Sequence, residues 1–162
     1  DFNGRSVVFS GDTRPCHPLV EACDGADLLI HETFPSAAVF AQKAGVPLPF
    51  AEQVVNGAHT SPTMAGKVFA RAGARMSVMW HLAVDHQVVG PAYADMRTQY
   101  DGPVTIAQDL TTFDISADAV VTRQSQIDPA RWPVLGPTTV TGPPMNPVPE
   151  PPAWWADALI TD

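Results

Sequence analysis

The chain has 162 residues, 45% of them hydrophobic, and a formal net charge of −8 at pH 7. This length suits one domain or one half of a two-part domain, and no apolar run reaches the roughly 18 residues that a membrane span needs. With 9 Lys and Arg against 17 Asp and Glu and no visible basic cluster, we expect no nucleic-acid partner.

Short apolar runs predict the strands of the fold. Residues 5–10 indicate a buried strand, residues 27–31 a second strand and residues 76–80 a third. Further short strands are predicted over residues 104–107, 111–115 and 119–122.

Capping residues predict helices between the strands, over residues 18–23, 37–44, 62–72 and 91–100. Ser61 followed by Pro62 is typical of a helix start, and Gly73 ends that helix. Pro47 and Pro49 predict an irregular stretch after the second helix.

The composition changes after residue 126, which predicts a domain over residues 1–126 and an arm over residues 127–162. The arm is rich in Pro, so we expect neither regular helix nor sheet in it. Trp132, Trp154 and Trp155 predict that it is pinned to the body or to a partner. A disordered tail is the alternative.

Metal-ligand or acid-base side chains follow the first three predicted strands. Asp12 lies in a Gly-containing turn after the first strand, Glu32 follows the second and His81 follows the third. In an open layered sheet, ligands collect at this edge. The alternative for Asp12 is a turn aspartate that bonds its own backbone, and for His81 a hydrogen-bonded core histidine.

Four short motifs in chain order resemble the later motifs of the metallo-β-lactamase superfamily. They are Ser10-Gly11-Asp12-Thr13, Ile30-His31-Glu32-Thr33, Ala58-His59-Thr60-Ser61 and Trp80-His81-Leu82. The pattern is most similar to the ribonuclease Z-like and arylsulfatase-like branches. The H-x-H-x-D-H motif and a further metal-binding His, which that superfamily carries earlier in the chain, are absent from this sequence. The chain therefore resembles the C-terminal half of such a hydrolase.

This resemblance implies an α/β fold, an αββα sandwich with two divalent metal ions between the sheet edges, and Zn²⁺ is the expected metal. Asp12 and His81 would be metal ligands from this half. Glu32 would orient His59, which would assist proton transfer near the leaving group. The alternative for His59 is a helix-entry residue before the Ser61 cap.

The resemblance implies a metal-dependent hydrolase, and we expect a small ester, sulfate ester or amide substrate attacked by a metal-bound hydroxide. In ribonuclease Z-like enzymes a Ser-Pro-Arg-Tyr-type stretch tends to follow the last metal-binding His, and its Arg would grip phosphate. Its absence after His81, together with the acidic charge, favours a small molecule over RNA.

Two other functions stay open at this stage. One is a ribonuclease Z-like phosphodiesterase that acts on RNA, and the other is a degenerate, non-catalytic binding or structural module. The expected partner is an upstream half of the same fold, and a homo-oligomer is compatible with the sequence. A cytoplasmic and a periplasmic location both stay open, because a signal peptide would lie upstream of Asp1.

Overall fold

The computed structural model describes residues 1–82, 86–126, 152 and 154–160. A parallel four-stranded sheet in the order β1-β2-β3-β4 organises the fold. Its strands are β1 (Val7–Phe9), β2 (Leu28–Glu32), β3 (Met76–Trp80) and β4 (Val104–Ile106). Because the four strands run in the same direction, their carboxyl ends lie at one edge of the sheet. The predicted α/β class is confirmed.

Helices connect the parallel strands: α1 (His17–Ala22), α2 (Ala37–Ala44), α3 (Leu48–Ala58), α4 (Pro62–Ala72) and α5 (His86–Arg97). The Ser61 hydroxyl caps α4 by accepting a hydrogen bond from the Met64 N–H, and Gly73 ends this helix in the left-handed conformation. No helix among the described residues is long and apolar enough to cross a membrane.

The hydrophobic core lies between the sheet and the helices that cover one of its faces. Leu29 and Met79 of the sheet, Val68 and Phe69 of α4 and Met96 of α5 are all fully buried there. Burying a side chain of this size stabilises the fold by about 1.5–3 kcal/mol. The core therefore holds the central strands in place beneath the edge where the candidate residues lie.

Helix α3 corrects the prediction of an irregular stretch after residue 46. Pro47 is the N-cap of α3 and Pro49 lies in its first turn. A proline is tolerated there, because the first backbone N–H groups of a helix have no intrahelical partner. The two prolines therefore start the helix.

Helix α5 begins at His86 and contains Pro91, whereas the sequence predicted a helix that starts at residue 91. An internal proline removes one backbone hydrogen bond. Val88 and Ala92, on either side of it, are buried in the core. Their burial stabilises the helix across the proline.

Strand β1 is not the buried strand that its apolar composition predicted. Val7 and Phe9 are 49% and 57% exposed, whereas Val8 packs against the core. Alternate residues of a strand point to opposite faces, so Val7 and Phe9 lie on the sheet face opposite Val8. The predicted sandwich would cover this face with a second layer, and that layer stays a prediction.

An antiparallel hairpin follows the parallel sheet, with strands β5 (Thr111–Ile115) and β6 (Val120–Gln124). Strand β6 begins one residue later and ends two residues later than the sequence predicted. The hydroxyl oxygens of Thr105 on β4 and Thr122 on β6 lie 3.2 Å apart. This contact ties the hairpin to the last parallel strand.

The end of the chain contains a short helix, α6 (Trp154–Ala158), which corrects the prediction of an arm without regular structure. No proline occurs after Pro152, so nothing in the sequence prevents a helical turn there. The Arg14 guanidinium lies 5.9 Å from the Trp155 ring centroid, and Ile160 is buried. Residues 127–151 of the predicted arm lie outside the described residues.

Gly66 and Gly57 provide a matched test of the packing between α4 and α5. A Cβ atom on Gly66 would lie 2.4 Å from the carbonyl oxygen of Met96, so Gly66→Ala should destabilise the protein by about 1–3 kcal/mol. A Cβ on Gly57 of α3 would meet nothing within 4 Å, so Gly57→Ala should stabilise it by about 0.5–1 kcal/mol. Denaturant unfolding of both variants checks these opposite signs, and equal effects would contradict the close approach at Gly66.

Candidate metal and proton-transfer site

Three side chains from different parts of the chain come together at the carboxyl edge of the sheet. Asp12 follows β1, His59 follows α3 and His81 follows β3. The Nδ1 atom of His81 lies 3.0 Å from Oδ1 of Asp12. One potential ligand atom from each of the three residues lies within 4.8 Å of the others. The fold thus assembles one carboxylate and two imidazoles into a single group.

The group is open to solvent on the side of Asp12 and closed on the side of His59. The exposed fractions of the side chains are 53% for Asp12, 31% for His81 and 13% for His59. A ligand can therefore approach from the Asp12 side, while the protein surrounds His59. Such a half-open arrangement suits a site that must admit a substrate and still orient a proton donor.

His81 adopts a backbone conformation that is uncommon for a residue with a side chain. Its φ angle is 65°, in the left-handed region. Such a conformation costs on the order of 1–3 kcal/mol and persists only where the surrounding structure holds it. The Trp80 and Phe34 rings lie 5.3 and 5.6 Å from the His81 ring. These contacts hold the turn that ends β3 and brings His81 beside Asp12.

Glu32 is the last residue of β2, is fully buried, and contacts the His59 ring with its carboxylate. Its Oε1 and Oε2 atoms lie 3.1 and 3.2 Å from Nδ1 of His59. With the carboxylate as acceptor, we assign the proton to Nδ1, which leaves the Nε2 lone pair for a metal or a substrate proton. Burial raises the pKa of Glu32, whereas a hydrogen bond from the Thr13 N–H and the charge of His59 lower it.

Buried side chains hold the turn that carries Asp12 on both sides. Before Asp12, the Nδ1 atom of His31 lies 2.9 Å from the Ser10 Oγ. After Asp12, the Thr60 hydroxyl donates to the Thr13 carbonyl oxygen at 2.7 Å. His31 and Thr60 are both fully buried, so these contacts are protected from water. Asp12 therefore stands between two anchored points of the backbone.

Two residues contribute to the site although the sequence analysis gave them no role. Phe34 lies parallel to the His59 ring, with centroids 4.2 Å apart and planes 11° apart. Its place directly after the His31-Glu32-Thr33 motif was the available signal. Thr60 bonds the Asp12 turn from a distant part of the chain, and no local pattern could have revealed that pairing.

The donor chemistry of the group fits a divalent metal such as Zn²⁺. Imidazole nitrogens and carboxylate oxygens are common zinc ligands, and a catalytic zinc usually has about three protein ligands. Asp12 and His81 lie in direct contact, and His59 lies beside them. The described residues could thus hold one ion with three ligands, or contribute Asp12 and His81 to a centre completed by other residues. The assignment of Asp12 and His81 as ligands stays a prediction.

His31 is a neutral histidine whose protonation state follows from its neighbours. With the Ser10 hydroxyl donating to the Gly11 carbonyl oxygen at 2.7 Å, we assign the proton of His31 to Nδ1, which donates it to Ser10. The Nε2 atom is buried, has no hydrogen-bond partner among the described residues, and then carries a lone pair. The Phe69 ring packs edge-on against the imidazole. Burial lowers the pKa of His31 from its ordinary value of 6.5 to about 4.

We expect His31 to make the protein less stable as the pH falls from 6.5 towards 4. The His31 side chain takes up a proton near pH 6.5 in the unfolded chain but only near pH 4 in the folded chain. Its contribution to the free energy of unfolding is therefore complete above pH 6.5 and declines below it. The stability lost through His31 over this whole pH interval is about 3 kcal/mol. His31→Asn keeps a donor near Ser10 without titrating. Unfolding free energies of both proteins from pH 7 to 4.5 should converge; a constant difference would contradict the neutral assignment.

Thr60→Val should weaken metal binding, because it removes the hydroxyl that anchors the Asp12 turn at the Thr13 carbonyl. Loss of one buried hydrogen bond that leaves its acceptor unpaired costs about 1–3 kcal/mol. Thr33→Val is the matched control, since Thr33 is equally buried and its hydroxyl meets no hydrogen-bond partner in the part of the chain that the structure describes. Thr60→Ser should restore binding. Co²⁺ titration followed by absorbance measures the affinity, and equal losses in both Val variants would rule out this anchoring role.

No protein-family model matches the chain. Ribonuclease Z of Myxococcus xanthus is 36% identical over 113 residues, which span 69% of this chain and 33% of that protein. Ribonuclease Z of Methanosarcina mazei is 33% identical over 117 residues, with the same shares of the two chains. The chain spans about a third of the length of these curated relatives.

A solved structure shares the fold. The metallo-β-lactamase fold protein YhfI from Bacillus subtilis aligns with a TM-score of 0.50 and 22% identity, over 67% of this chain and 39% of that one. The predicted fold is thereby confirmed, while the arylsulfatase-like branch stays a prediction. The similarity to ribonuclease Z proteins and the shared architecture support the assignment of this chain to the metallo-β-lactamase superfamily.

Proposed function

We propose that this chain carries part of the active site of a metal-dependent phosphodiesterase that acts on RNA. The observation that carries the proposal is the grouping of Asp12, His81 and His59, with the buried Glu32 carboxylate behind His59. A paired metal-binding and proton-transfer group is what hydrolysis of a phosphodiester requires. The names of the matched relatives, ribonuclease Z, supply the substrate class.

RNA replaces the small ester, sulfate ester or amide that the sequence favoured. The expectation of no nucleic-acid partner rested on the net charge of −8 and on the missing Ser-Pro-Arg-Tyr-type stretch. The relatives are ribonucleases by name, and this chain matches about a third of their length. The residues that grip phosphate need not lie in this chain, so its acidity does not exclude RNA.

The geometry supports the following roles for the residues. Asp12 and His81 would hold divalent cations, which when bound would acidify a water and neutralise phosphate charge. His59 is held at Nδ1 by Glu32, which leaves Nε2 free to carry the proton that is transferred. As the oxygen of a water forms a bond to phosphorus and the bond to the leaving oxygen breaks, a proton would pass from Nε2 of the His59 imidazolium to the leaving oxygen. The buried carboxylate of Glu32 would stabilise the imidazolium that precedes this transfer.

His59→Ala in the full-length protein should slow RNA cleavage by about 10²–10⁴-fold, because it removes the proton donor. Its metal content should stay unchanged. Asp12→Ala should instead reduce metal content and activity together. Cleavage of end-labelled RNAs, single-stranded and structured, is measured beside metal content by elemental analysis. His17→Ala, at an exposed position on α1, serves as the control.

Three results would contradict these assignments. Loss of metal from the His59→Ala protein would make His59 a ligand, and full activity would favour the helix-entry interpretation. A wild-type protein without bound metal and without cleavage of any RNA would favour the degenerate binding module.

A further inference from the structure

A pocket of about 400 Å³ adjoins the site on the side of helix α2. Phe34, Val39 and Phe40 form its apolar walls, and His81 borders it. Lys43 of α2, an exposed residue, is the cationic residue of its lining. A cavity of this volume is in the range of small-ligand sites. None of the four motifs that define the site includes Val39, Phe40 or Lys43.

The pocket and the candidate metal group share residues. His81 both contacts Asp12 and borders the pocket. Phe34 stacks on His59 and also forms a wall of the pocket, where the Phe40 ring meets it edge-on at 5.2 Å. A chemical group bound in the pocket would therefore lie directly beside the atoms that we assign to metal binding and proton transfer.

The lining selects for an uncharged planar group next to an anion. Two aromatic rings and aliphatic side chains favour a flat apolar ligand, and no described lining residue carries a carboxylate. The Lys43 ammonium, which also reaches Gln87 at 3.4 Å, offers a positive charge at the same place. A larger cavity of about 900 Å³ that is also lined by His81 contains Asp109, whose carboxylate would repel a phosphate.

We propose that this pocket binds an unstacked nucleobase of the RNA, adjacent to the phosphodiester that is cleaved, with the Lys43 ammonium near a flanking phosphate. The proposal rests on the function proposed above and specifies how its substrate is held. Single-stranded RNA combines a planar base with a nearby phosphate, and proteins bind such bases on aromatic side chains. Phe40 would be the principal stacking surface, because Phe34 is already stacked on His59.

A double-mutant cycle between protein and RNA tests this proposal in the full-length protein. Phe40→Leu should weaken binding of a short RNA by roughly 5- to 100-fold, as expected when a base loses its aromatic partner. The loss should appear in KM and in equilibrium binding measured by fluorescence anisotropy, with little change in kcat. Phe40→Trp should retain binding. Phe113→Leu, on β5 and outside this pocket, is the matched control.

The RNA side of the cycle uses substrates with one abasic ribose at each position near the scissile phosphate. At one position, the wild-type protein should bind the abasic substrate as weakly as the Phe40→Leu protein binds intact RNA. The Phe40→Leu protein should then bind that abasic substrate no more weakly than it binds intact RNA. Independent, multiplicative losses at every position would overturn the proposal. Wild-type protein that cleaves none of the RNAs would instead overturn the proposed function, and this inference with it.

Lys43→Gln tests the second contact separately. The slope of the logarithm of affinity against the logarithm of salt concentration should fall by about 0.7 for one lost contact to a single strand. Lys67→Gln, on α4 and outside the pocket, should leave the slope unchanged. An unchanged slope in the Lys43 variant would refute the phosphate contact.

Discussion

The burial of one carboxylate organises the site. Glu32 has no solvent exposure, so its oxygen atoms must find donors within the protein. They accept from the Thr13 N–H and contact Nδ1 of His59, while the Glu32 backbone N–H donates to Ser10 Oγ. The same residue thus fixes the Asp12 turn and the His59 ring. The need of the buried Glu32 carboxylate for hydrogen-bond donors therefore sets the distance between Asp12 and His59.

The parallel sheet supplies the second constraint. Strands β1, β2 and β3 end at one edge, so the residues that follow them become neighbours although they are far apart in sequence. His81 enters this group through a left-handed turn that costs energy, and aromatic neighbours hold it there. His81 contacts the candidate metal ligand Asp12, and backbone strain of this kind is typical of functional sites, where it lowers the stability of the fold.

Charge and shape act at different distances in this protein. The net charge of −8 works against the approach of a polyanion over long range. Close to the site, an aromatic pocket with a lysine in its lining offers local complementarity to a nucleotide. Salt screens the long-range repulsion within about 10 Å at 0.1 M, whereas contact interactions inside a pocket are screened much less. The overall composition is therefore a poor guide to the ligand of this one site.

The sequence by itself determined most of the helices and the order of the four motifs, because capping residues and apolar runs act over a few neighbouring positions. The α/β class followed from the resemblance that those motifs carry. It did not determine which face of β1 is exposed, since an apolar run looks the same on an open edge strand and in a buried one. It also missed α3, because prolines inside a first helical turn resemble prolines in a loop. Only the tertiary structure brought Thr60 to the Asp12 turn and placed α2 beside His81. These contacts join segments distant in sequence, and packing against the sheet, which no local pattern encodes, decides them.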